Sequence, residues 1–231
     1  MFRKITNFLS LSLVLSTLLA GNVFGCACCA EPGTYFLRTA KPDKFVIDLV
    51  SEFAFAQKAN LYMTEAGFDT IEGLGAIQKE DESAMGVMDY IAGGSFANKT
   101  WKLNLKTPKG STAALTLPMP LKFTEQKVDI HDVEDRPNGP WLYKELRFEG
   151  PVSNATGFAR AGFVRGTTYS LVFQGRGVGC DEVEDFTHWH LSIDGPKAGY
   201  AFYGKLSSGR KPDSESAKLG APSMLDTLGL K

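Results

Sequence analysis

Two of the three histidines in this chain lie two residues apart, in Phe186-Thr-His-Trp-His-Leu-Ser-Ile-Asp-Gly195. Phe186–Ile193 alternates in the manner of a β-strand, which puts His188 and His190 on one face, roughly 6.5 Å apart at about 3.3 Å per residue. Two imidazoles so placed can hold one metal ion, with further ligands from a neighbouring strand or loop. Trp189 between them faces the other way, into a core. The third histidine, His131, stands in Asp129-Ile-His-Asp-Val-Glu-Asp135, and Cys180-Asp-Glu-Val-Glu-Asp185 precedes the His-x-His pair. Each histidine therefore has acidic neighbours. The expected ligand set is His188, His190, His131 and Asp185, and imidazole with carboxylate suits zinc or copper. The competing reading takes the histidines as ordinary sheet residues and the acids as a solvated loop.

Cysteine offers a second chemistry. Cys26, Cys28 and Cys29 crowd together, and Cys180 is far off in sequence. Four thiolates could bind a soft metal, but in an oxidising compartment disulfides are expected. Adjacent Cys28 and Cys29 are strained partners for each other, so the expectation is that one of them bridges to Cys180. Cys180 acting as a nucleophile with His188 as its base is a weaker reading. Gly175-Arg-Gly-Val-Gly179 reads as a tight turn, because a phosphate loop must open a helix and here acidic residues follow. Met85 and Met88 suit a core stripe better than a metal site. Gly-x-Ser-x-Gly, Walker and His-Glu-x-x-His motifs are absent.

The compartment is argued from the beginning of the chain. Arg3-Lys4 precede the apolar run Phe8–Ala20, and mostly small or turn-forming residues follow to Gly25. This is the anatomy of a secretory signal, with a run too short to span a membrane. Export to the periplasm, cell envelope or medium is expected, with cleavage after Gly25. Val23-Phe24-Gly25 before Cys26 resembles a lipobox, which implies lipidation of Cys26 and membrane anchoring. Plain cleavage giving a soluble protein is the alternative. Without the first 25 residues, 23 basic and 26 acidic side chains remain, net −3. That leaves no basic excess for a nucleic acid.

The elements that must position these residues are mostly strands. Residues 26–44 read as a Cys-rich extended segment and 45–206 as a β-rich globular domain, with a polar linker and tail over 207–231. Within the domain, strands are expected at 45–50, 60–63, 144–149, 161–164, 169–173, 186–193 and 200–206, with a hairpin over 100–118. Helical structure is expected at 67–75 and, with an Ala84-Met85-Met88-Ile91 stripe ended by Gly93-Gly94, over 81–92. Strands with short polar connections argue a mainly β fold: an antiparallel sandwich or barrel-like domain, with one or two short helices in the N-terminal half. The leading functional expectation is an exported, non-catalytic binding protein, with Zn or Cu held at His188 and His190. A secreted metal-dependent or carboxylate-based hydrolase and a structural envelope lipoprotein are the alternatives.

Overall fold

The computed structural model describes residues 30–56, 59–62, 87–107, 110–131, 139–160 and 162–208. The signal segment, Cys26, Cys28, Cys29, the helical turn expected at 67–75 and most of the C-terminal tail lie outside them. The fold is mainly β, built from two antiparallel sheets that do not close into a barrel. One sheet has six strands: β1 (Tyr35–Ala40), β6 (Phe123–Val128), β7 (Leu142–Pro151), β9 (Thr168–Gly177), β10 (Phe186–Gly195) and β11 (Ala198–Lys205), in that spatial order. The other has five: β2 (Ala59–Tyr62), β3 (Val87–Ala97), β4 (Thr100–Lys106), β5 (Thr112–Pro118) and β8 (Asn154–Gly157).

Period-two burial explains most of this. Along β7, Leu142, Lys144, Leu146 and Phe148 are buried while Tyr143, Glu145 and Arg147 are only partly so. Along β4, Trp101, Leu103 and Leu105 are buried and the residues between them exposed. The inner faces meet in an aromatic core. Phe173 is fully buried at its centre, with ring centroids of Phe53, Phe55, Trp101 and Phe148 at 4.7, 6.1, 6.1 and 6.2 Å. The expected hairpin at 100–118 is present, with Thr100 opposite Pro118. The Thr107 side chain accepts from the Ser111 N–H and helps to close its turn.

Three expectations are corrected. Residues 45–50 are helical: α1 spans Lys44–Ser51. Asp43 caps it by accepting the Val46 N–H at 2.9 Å, and Val46, Leu49 and Val50 are buried at helical spacing while Phe45 is exposed. Second, residues 87–92 of the expected 81–92 helix belong to β3, which runs on through Gly93 and Gly94. Burial of Tyr90 and Ala92 with Ile91 exposed is the strand period, and pairing with β4 overrides the local stripe. Third, the expected strand at 161–164 is displaced. The chain makes β8 at 154–157, then a one-turn 3-10 helix at Phe158–Arg160 and a turn into β9. β1 lies in the segment read as extended and β6 in a stretch for which no element was expected, and the two strands pair with each other.

Candidate functional site

β10 positions the histidines. Trp189, Leu191 and Ile193 point into the core, and Trp189 is fully buried. His188 and His190 therefore share the outer face of the six-stranded sheet, in the arrangement that alternation implies. A register shift between Phe186 and His188 adds one residue, Thr187, against β9. This bulge lets Phe186 enter the core although it is an even number of residues from the outward histidines. The Thr187 Oγ1 lies 2.8 Å from His188 Nδ1 and orients that ring.

The neighbouring strands bring polar and aromatic side chains to the same face. His190 stands opposite Tyr203 of β11 and His188 opposite Gln174 of β9. The Tyr203 ring lies 5.5 Å from the His188 ring and 6.5 Å from that of His190. Gln174 Nε2 donates to the Tyr203 hydroxyl at 3.0 Å. Tyr143 donates to Glu145 at 2.7 Å, and Arg147 donates to the same carboxylate through Nε and Nη2 at 3.0 and 2.7 Å. The histidines thus stand beside a hydrogen-bonded surface that fixes its own side chains. The His190 ring makes no hydrogen bond among the described residues.

Burial sets the protonation of this face. It lowers the His188 pKa, with Lys205 adding to the effect. It lowers that of His190 too, with Arg147 in the same direction and Glu145 against it. Both rings are therefore neutral near pH 7, the form that binds metals and accepts hydrogen bonds. Burial and the hydrogen bond to Glu145 raise the Tyr143 pKa, so its hydroxyl remains a donor.

His131 and Asp185 are placed elsewhere. His131 is exposed just beyond β6 with φ at 52°. Its backbone N–H donates to Asp129 at 3.0 Å, and its Nδ1 lies 3.3 Å from the other carboxylate oxygen. The Gly33 and His131 N–H groups hold the Asp129 pKa below the usual carboxylate range. Among the described residues, no group of three or more His, Cys, Asp and Glu side chains is placed to share a metal ion.

Asp185 corrects the expectation of an exposed acidic loop at 181–185. Its side chain is buried on the inner side of the sheet, 2.7 Å from the buried ammonium of Lys144. Lys144 also donates to the Cys180 carbonyl. Asp181 sits between two lysines that face each other across β6 and β7, at 2.9 Å from Lys127 and 3.0 Å from Lys144. Its contact with Lys144 is an ion pair without an aligned hydrogen bond. Lys127 continues to Glu125 at 3.0 Å, and Glu125 to Arg38 at 2.7 Å. Burial alone would lower the Lys127 pKa, but Asp181 and Glu125 outweigh it and hold it raised.

The glycine-rich stretch makes room for this loop, which corrects its reading as a tight turn. Gly175 and Gly177 are strand residues of β9. A Cβ on Gly175 would lie 1.8 Å from the Asp185 carbonyl oxygen, and one on Gly177 within 2.2 Å of all three Asp185 carboxyl atoms. The sequence signal for the network was present in Gly-x-Gly followed by Asp and Glu, but it concerned packing. Cys180, at the head of the loop, is disulfide-bonded, and its partner lies outside the described residues.

The chain matches no protein-family model, no curated protein and no solved structure.

Proposed function

We propose that this chain is an exported, non-catalytic binding protein whose binding face is the outer surface of the six-stranded sheet at His188 and His190. One observation carries the reading: two imidazoles side by side on a preordered face, both held neutral by burial, with the His190 ring free of hydrogen bonds among the described residues. In its finer form the ligand is Zn(II) or Cu(II), for which two neutral imidazoles are suitable donors. The ion's other positions would be left to water or to a donor on the bound molecule. Export rests on Arg3-Lys4 and the Phe8–Ala20 run. The disulfide at Cys180 fits an oxidising compartment, and we assign its partner to the Cys26, Cys28 and Cys29 cluster. Lipidation of Cys26 would anchor the protein at a membrane surface.

Titration of the mature protein with Zn(II) and Cu(II) tests the finer form. His188→Ala and His190→Ala should each weaken binding at least tenfold while the near-UV circular dichroism is unchanged. Full metal affinity in both variants would end the metal reading. Intact mass under native and denaturing conditions gives the cleavage site, the disulfide and any lipid in one measurement.

A further inference from the structure

The connection from β8 to β9 builds a second, separate concavity. After the 3-10 turn at Phe158–Arg160 the chain makes a tight turn that buried Thr167 fastens. Thr167 Oγ1 accepts the Val164 N–H at 3.1 Å and donates to the Val164 carbonyl at 2.8 Å. The Val152 N–H donates to the Thr167 carbonyl at 3.1 Å, tying the turn to the chain just after β7. Against this fixed turn lies a cleft of about 520 Å³, with walls formed by Pro151, Val152, Phe163 and Val164 and with Arg160 and Arg165 lining it.

The two arginines of the cleft contrast with Arg38 and Arg147. Arg38 and Arg147 are each engaged by a glutamate at 2.7 Å. Arg160 and Arg165 line one cleft, and neither has a carboxylate partner among the described residues. Guanidinium groups present planar donor forks that match oxyanions. A few charged groups over apolar walls, in a volume of this order, is the usual composition of a small-molecule site. In a chain with a small net negative charge, two cations without a carboxylate partner among the described residues also concentrate anions at one concavity.

We infer that this cleft binds a small organic anion, an oxyanion head group carried on a short apolar stem. The head pairs with Arg160 and Arg165, and the stem lies along Phe163, Val164 and Val152. The site is independent of the histidine face, so either assignment can fail without the other.

Calorimetric titration of the mature, disulfide-intact protein with butyl phosphate and with butanoate tests the inference, and butanol serves as the uncharged control. Binding of either anion, at least tenfold weaker in the Arg160→Gln/Arg165→Gln variant and weakened in Arg165→Lys, is the expected result. The tighter of the two anions identifies the head group as phosphate or carboxylate. Both arginines are exposed, so the double variant should keep the wild-type melting temperature. Failure of both anions to bind, equal affinity in the double variant, or equal binding of butanol would overturn the inference.

Discussion

Asp185 and Lys144 are charges that the fold has taken out of water, each with 1% of its side-chain surface exposed. Removing one partner leaves the other buried and uncompensated, so Asp185→Ala should cost about 3–5 kcal/mol in urea unfolding. Replacing both with apolar residues of similar volume should cost less than either single change. The histidines carry a pH prediction. Their folded pKa values lie below the ordinary 6.5. Above that pH both folded and unfolded chains have neutral rings. As pH falls through 6.5 the unfolded chain takes up protons first, so stability declines toward the lower folded values. The melting temperature should therefore drop from about pH 7.5 to 5.5, and drop less in His188→Gln/His190→Gln. The outward pair was legible in the sequence, because alternation alone decides which face a strand residue takes. The burial of Asp185 was not, because it depends on space left by Gly175 and Gly177 and on a lysine about 40 residues away on β7.

At the scale of elements, β4, β5, β7, β9, β10 and β11 follow from period-two patterns with turn residues between them. The errors fall where two periods fit the same letters. Phe45–Val50 is rich in strand-forming residues, yet Asp43 supplies a cap and the helical stripe meets the core. Asp43→Ala should therefore destabilise the protein by about 1 kcal/mol, measured by chemical denaturation. Long-range pairing decided β3 in the opposite direction, and a local window contains no information about a partner strand. Gly177→Ala tests the coupling between β9 and the acidic loop. Its methyl group would occupy the space of the Asp185 carboxylate, so the variant should lose about as much stability as Asp185→Ala.

For the molecule as a whole, the sandwich is held by one aromatic core and, at its charged end, by the loop that carries Cys180. If Cys180 pairs with the N-terminal cluster, as proposed, the closed loop would exceed 100 residues, and chain entropy would give about 4–5 kcal/mol of stabilisation. Cys180→Ser should lower the unfolding midpoint accordingly, and reductant should do the same to the wild-type protein but not to the variant. Phe173→Ala opens a cavity where both sheets meet and should cost about 3–5 kcal/mol. The mainly β, two-layer class was legible from strand spacing, but the order of strands was not, because β1 joins a sheet whose other members begin more than 80 residues later.

The linked ions Arg38, Glu125, Lys127, Asp181, Lys144 and Asp185 carry equal numbers of positive and negative charges. That balance limits how the sequence can drift. At the outer end Arg38 is half exposed, and water can take over its role, so single replacements there are open to mutation. At the inner end any single step leaves a charge stranded, and neighbouring viable sequences are reached only by two changes together. Tolerance to random substitution should thus fall along the row from β1 inward, and a saturation library scored for folding would record that gradient.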